Sequence, residues 1–224
     1  MISSNDIKII AILAIGLLAF SACRSKPVDS TDRPVVGPPP SRVPFSTTEP
    51  ESYEVEIVIT AGTSVRRYHV ARAGLRRSVE FDAGTPSRLI VITDERVHHV
   101  LPEARSFAEP DAVGPFSNDD WSVFLTSRWL NSNQPATFEP IEPADGNERY
   151  RVTFGHERRS ETIVTIDSVS RLPVRQEFFT LSGGAAVSTL TVELHGLKTV
   201  PDESRFTVPP DFKRVTAAEL LKLR

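Results

Sequence analysis

One cysteine, Cys23, serves all 224 residues, so no internal disulfide can form. A domain of this size can hold a core without one. The five histidines, His69, His98, His99, His156 and His195, show no metal-ligand spacing such as H-x₃-H, and no further cysteine could join them. His98 and His99 are neighbours on an expected strand and point to opposite faces, so they cannot share one metal ion. There is no G-x-S-x-G elbow, no P-loop and no G-x-G-x-x-G loop. Asp119 and Asp120 read as first-turn charge on a helix rather than a catalytic carboxylate pair. No enzymatic activity, cofactor or metal is therefore expected. A net charge of -3 without a clustered basic face argues against a nucleic-acid partner. The longest apolar run is short for a membrane span. Ile9 to Phe20 would make a helix of about 18 Å, against a hydrocarbon core of about 30 Å.

What is present begins with that short run, which fits the apolar region of a signal peptide over residues 1–22. Ser21 and Ala22 are the small residues a signal peptidase needs, and Cys23 follows directly. The arrangement resembles the bacterial lipobox, whose cysteine thiol receives diacylglycerol. It departs from the ideal in Phe20, where Leu is usual, and in Asp6 beside Lys8. An ordinary signal peptide with an incidental cysteine, or an uncleaved anchor, stays open. Lipidation of Cys23 implies a lipoprotein, diacylated and palmitate-bearing, held on a membrane and facing the periplasm of the cell envelope. Arg24, rather than an inner-membrane-retaining Asp, favours the outer membrane over the inner. Residues 23–50 are rich in Pro, Ser, Thr and charge, with Pro38–Pro40 at the centre. They read as a disordered, extended tether.

From residue 51 the pattern turns to strand alternation. Tyr53, Val55, Ile57 and Ile59 share one face, with Val58 the exception. Further strands are expected over residues 66–71, 75–82 (with Leu75, Val79 and Phe81 together), 87–93, 97–101, 105–109, 148–154, 160–167, 173–181 and 186–195. Ser182-Gly183-Gly184 is a hairpin turn signal. One amphipathic helix is expected from Ser117, with Trp121, Phe124, Leu125 and Trp129 on its apolar stripe. A short helix over 217–224 ends the chain. The arginine pairs at 66–67, 76–77 and 158–159 read as solvated faces, with a lesser reading in which some flank a cavity mouth and meet anionic head groups.

R-R-S-V-E-F at 76–81, R-L-I-V-I-T-D at 88–94 and H-H-V-L-P-E-A-R-S-F at 98–107 form a familiar series. So do I-V-T-I-D at 163–167, R-L-P-V-R at 171–175 and F-T-V-P at 206–209. Together they resemble the periplasmic lipoprotein-carrier superfamily of LolA, LolB and LppX, the outer membrane lipoprotein-sorting proteins. Arg171 stands where that family usually has Gly. The resemblance implies a mainly β (α+β) fold over residues 51–216. In it a strongly curved antiparallel sheet or incomplete β-barrel of about 9–11 strands has its concave face covered by helices. It also implies an apolar hollow for acyl chains of lipids or lipoproteins, and so a monomeric, membrane-anchored, lipid-binding protein of lipoprotein transport. The expected lining is Val55, Ile57, Ile59, Tyr68, Leu89, Val91, Trp121, Phe124, Leu125, Trp129, Val164, Ile166, Phe179, Leu190 and Val192, each of which, taken singly, reads more readily as plain core. The other reading is a non-enzymatic envelope sensor or scaffold, RseB-like, that binds a partner protein and fills its own interior.

Overall fold

The computed structural model describes residues 42–109, 124–125, 127–131, 136–154, 160–182 and 185–224. The signal segment, Cys23 and most of the tether lie outside them, as do Trp121 and the expected helix start at Ser117.

Twelve strands form one sheet, against the nine to eleven expected. They are β1 (Ser52–Ala61), β2 (Ser64–Ala73), β3 (Arg76–Phe81), β4 (Leu89–Thr93), β5 (Val97–Leu101) and β6 (Ser106–Ala108), then β7 (Ala136–Ala144), β8 (Asn147–Phe154), β9 (Ser160–Ile166), β10 (Pro173–Ser182), β11 (Ala185–Lys198) and β12 (Lys213–Arg214). The additions are β7, which Pro140 and Pro143 disguise as a loop, and β12, two residues pairing parallel to β6. Proline is tolerated in β7 because it is an edge strand.

The order across the sheet is β12-β6-β5-β4-β3-β2-β1-β11-β10-β9-β8-β7. Two antiparallel meanders are thus joined where β1 pairs with β11. The outermost strands do not meet, and a sheet this wide curls around its apolar side rather than lying flat.

Register stacks like residues in rows on the inner face. Val55 pairs with Val70, Val70 with Val79 and Val79 with Val91. One step along, Ile57, Tyr68, Phe81 and Leu89 form a second row. One step the other way the row is polar: Tyr53, Arg72, Arg77 and Thr93. Leu75, expected beside Val79 and Phe81, instead sits 92% exposed in the β2–β3 turn, because Gly74 at φ +62 ends the strand. Gly196, at φ +61, occupies a bulge where β11 spends two residues against one on β1, a backbone conformation that suits glycine.

The last segment wraps the β6 edge of the sheet. After β11 it runs across the outer face, making a 3₁₀ turn at Glu203–Phe206 that contacts β3 and β4. It then pairs as β12 with β6 and ends in helix α1 (Ala217–Leu223), whose Leu220 packs with Leu89, Leu101 and Ala108 on the inner side. Thr216 caps α1 in a full capping box with Glu219.

Ile57 is fully buried at the centre of the largest inner cluster. Ile57→Ala should lower unfolding stability by roughly 2–5 kcal/mol. The urea midpoint of the full-length chain measures this, and an unchanged midpoint would show that the inner face is not tightly packed there.

Candidate functional site

The inner face carries three apolar clusters, each capped by chain from outside the central sheet. Over β1–β3 and β11 the cap is Phe124 and Leu125, the latter fully buried. Over β7–β9 it is the 3₁₀ turn Arg128–Asn131, through Trp129 and Leu130, together with Val43 and Phe45. Over β4–β6 it is α1. Phe45 contacts Phe138 edge-on at 6.0 Å and Tyr150 at 6.3 Å, so this part of the expected tether is packed on the sheet.

The middle cap is pinned by one glutamine. Gln176, fully buried, donates from Nε2 to the Phe124 carbonyl at 2.6 Å. Its Oε1 accepts from the Trp129 indole N–H at 2.6 Å. Gln176 faces inward because a bulge at the start of β10 shifts the register between Pro173 and Arg175, reversing the alternation. The same shift corrects the lining residue expected on this strand. Phe178, not Phe179, packs in the inner cluster and meets Phe124 at 6.0 Å and Trp129 at 5.1 Å. Trp129 also meets Phe154 at 5.8 Å. The described part of the cap therefore fills the space beneath it with aromatic rings.

The other expected lining residues fall on this face. Val55, Ile57, Leu125 and Val192 are buried in the central cluster, with Ile59, Tyr68, Phe124 and Leu190 packed against it. Val164 and Ile166 lie in the second cluster with Trp129, and Leu89 and Val91 in the third. The face is continuous in register but divided into three clusters by its caps.

The polar row at its end was hidden from sequence reasoning, because its key residue, Glu49, lies in the segment that composition assigns to the tether. Glu49 folds back over the row with its side chain only 13% exposed. Its Oε1 accepts from the Tyr53 hydroxyl at 2.7 Å, and its Oε2 accepts from Arg72 Nη1 at 2.8 Å and Arg77 Nη2 at 2.6 Å. Burial, then the Glu49 charge and hydrogen bond, push the Tyr53 phenol far above its ordinary value, so it stays protonated and acts as a donor. Arg72 is also anchored from its Nε to the Gly74 carbonyl at 3.0 Å. Arg171, the departure from the family's Gly, adopts φ +60. It holds the same N-terminal segment through the Pro44 carbonyl at 2.9 Å, and pairs with Glu148 at 2.6 Å.

On the outer face, a cleft of about 380 Å³ lies between β3–β5 and residues 202–212. Beside it the buried carboxylates of Glu54 and Glu80 are bridged by Arg205, at 3.4 Å to each. Glu54 also accepts from the Asp202 amide at 2.9 Å and pairs with His69 at 3.2 Å. Burial raises the Glu54 carboxyl, but the Asp202 amide, Arg205, His69 and Lys198 outweigh it and leave it below its ordinary value. Burial first, and Arg205 second, hold His69 below its ordinary 6.5, against the opposing pull of Glu54, Glu80 and Glu56. The carboxylates and cations pair with one another, so the cluster works as a clasp that fixes the returning segment to the sheet. Among the described residues no group of three or more His, Cys, Asp and Glu could hold a metal ion. No helix among them is long and apolar enough to cross a membrane.

No family model and no curated protein matches the sequence. Similar solved structures include MucB, at 16% identity and TM-score 0.45 over 75% of this chain. They also include an uncharacterised conserved protein of Thermus thermophilus, at 12% identity and TM-score 0.41, covering 73% of this chain and 89% of that one. An outer membrane lipoprotein-sorting protein domain from Vibrio parahaemolyticus matches at 13% identity and TM-score 0.28, covering 72% and 92%. The chain spans about 60% of the length of MucB. At identities of 12–16% and TM-scores below 0.5, these likenesses carry no argument.

Two outcomes test this geometry. Gln176→Met keeps volume but strands the Trp129 indole N–H, and should loosen the cap by roughly 1–3 kcal/mol. Hydrogen exchange at that indole would quicken, and unchanged protection would remove Gln176 from its pinning role. The second concerns acid. Unfolded His69 takes up a proton near 6.5, while folded His69 resists it until lower pH. Stability is therefore full above that value and falls as pH drops through it. Half-buried His99, also held low by burial, acts in the same direction. Melting temperature should decline from pH 7 to 5, and His69→Gln should flatten the decline.

Proposed function

We propose that this chain is a non-enzymatic binding protein of the bacterial envelope, whose inner face receives the acyl chain of a lipid or lipoprotein when the Phe124–Leu130 cap moves aside. The observation that carries this reading is the attachment of the cap. A continuous apolar face is covered in its middle by a segment pinned through the side chain of Gln176 to the Phe124 carbonyl and the Trp129 indole. Opening the cap breaks two hydrogen bonds, at about 1 kcal/mol each net. It also uncovers Phe124, Leu125, Trp129 and Leu130, at about 1.5–3 kcal/mol each. A hydrocarbon chain of roughly a dozen carbons or more, at about 0.8 kcal/mol per CH₂, offsets a cost of that size by taking their place. The aromatic residues of the cap then stand in for ligand when none is bound. Shape and apolar area select the ligand, and neither nucleophile nor cofactor is required. Lipidation at Cys23 and a periplasm-facing position on the outer membrane complete the reading, since a tethered receptor need only hand its cargo on locally.

The second reading is a module whose inner face stays filled and which engages a partner protein from outside. The ring packing of Trp129 against Phe154 and Phe178 favours it.

A photoactivatable palmitate analogue, added to the full-length chain in its membrane and mapped by peptide mass spectrometry, separates the two. The expected outcome is labelling confined to peptides carrying Tyr53–Ile59 and Phe124–Leu130, competed by unlabelled palmitate. Labelling absent from both, or spread evenly over the surface, would leave only the partner-binding reading.

A further inference from the structure

The inner face is not uniformly apolar. Its end row presents Tyr53, Arg72 and Arg77 side by side on β1, β2 and β3. The next row, about 7 Å along the strands, is Val55, Val70 and Val79. An amphiphile lying along the strands would meet donors at one end and hydrocarbon thereafter. The donors are already converged on a single anion, the Glu49 carboxylate, with contacts of 2.6 to 2.8 Å. That carboxylate comes from the N-terminal segment rather than from the sheet, and Arg72 has a second anchor in the Gly74 carbonyl of the β2–β3 turn at 3.0 Å. The seat is thus largely built by the sheet and filled from outside it.

Resting on the acyl-binding reading above, we infer that Tyr53, Arg72 and Arg77 form a head-group site for an acyl chain ending in an anion, and that Glu49 is its internal occupant, displaced when ligand enters. Two guanidiniums and a phenol make charge-assisted bonds that a carboxylate or a phosphate can accept and a neutral head cannot match. Glu49 lowers the apparent affinity for such a ligand, because the competent state is the one with the seat vacated. Its place in the chain matters as well. Pro50 offers its carbonyl to Arg72 at 3.2 Å, and Phe45 is packed over β7 and β8, so vacating the seat disturbs the segment leading back toward Cys23.

The test uses the full-length chain and the photoactivatable palmitate probe, held far below its half-saturating concentration for every variant so that its own affinity does not enter, with three competitors of matched chain: oleate, oleoyl-lysophosphatidylglycerol and oleyl alcohol. Glu49→Gln removes the competing charge and should lower the half-displacing concentration of the anionic competitors by about tenfold, the size expected for one charge-assisted contact. The value for oleyl alcohol should stay where it is. Arg72→Gln should act in the opposite sense, raising the concentration of the anionic competitors alone. Both substitutions break the same ion pair, so a mere loss of stability would move them in the same direction. A larger response of oleate than of the lysophospholipid assigns the site to fatty-acid carboxylates, and the reverse assigns it to phosphate heads. If all three competitors shift together, or none shifts, the head-group site is overturned while acyl binding stands. If no competitor displaces the probe from the wild-type chain, acyl binding itself fails.

Discussion

A sheet of twelve strands that does not close must find cover for its apolar side elsewhere in the chain, and most of the structure follows from that requirement. The backbone ladder satisfies the hydrogen bonds of the strands, but it leaves Val55, Ile57, Val70, Val164 and Val192 on one surface with nothing of the sheet opposite them. Three separate stretches answer: the N-terminal segment around Phe45, the turn around Trp129, and helix α1. None is joined to the central strands by backbone pairing over its length. Beyond single backbone bonds, such as that from the Ser46 amide to the Arg171 carbonyl at 3.0 Å, their hold comes from side chains: Arg171 and the Tyr53–Arg72–Arg77 row for the first, Gln176 for the second, Leu220 for the third. The molecule thus pairs a hydrogen-bonded frame with covers drawn from outside its central strands.

The two faces treat charge differently. Outside, Glu54 and Glu80 are matched by Arg205, His69, Lys198 and Arg88, from the segment returning over the sheet, its strands and the turn before β4. Removing one member of such a buried set leaves an uncompensated charge, so the arrangement resists change. Inside, the Tyr53–Arg72–Arg77 row is matched by Glu49, from a segment that composition alone reads as a spacer. The outer set reads as construction and the inner set as an occupied socket.

The first meander was legible in the sequence because alternation runs through most of its strands and three of the four turns between Tyr53 and Leu101 carry glycine or proline. Helix α1 was legible from its apolar spacing after Thr216. The second meander was readable in extent but not in facing. One register shift at the start of β10 exchanged Phe179 for Phe178 and turned Gln176 inward, and period-two counting cannot detect an extra residue. Strand β7 was obscured by prolines that only an edge position permits. Glu49 was missed for another reason. Its role depends on three donors from β1, β2 and β3, and nothing in the local sequence Thr-Thr-Glu-Pro announces them.

The pairing of β1 with β11 sets an order of assembly. The earliest strand finds its neighbour more than a hundred residues later, and the clasp from Glu54 to Arg205 comes later still. A chain emerging from its N-terminus therefore holds one long edge of β1 bare until nearly all of it has appeared. Loop closure over such spans slows folding and exposes strand edges to other chains. A protein of this topology gains from a helper that shields the first meander during that interval.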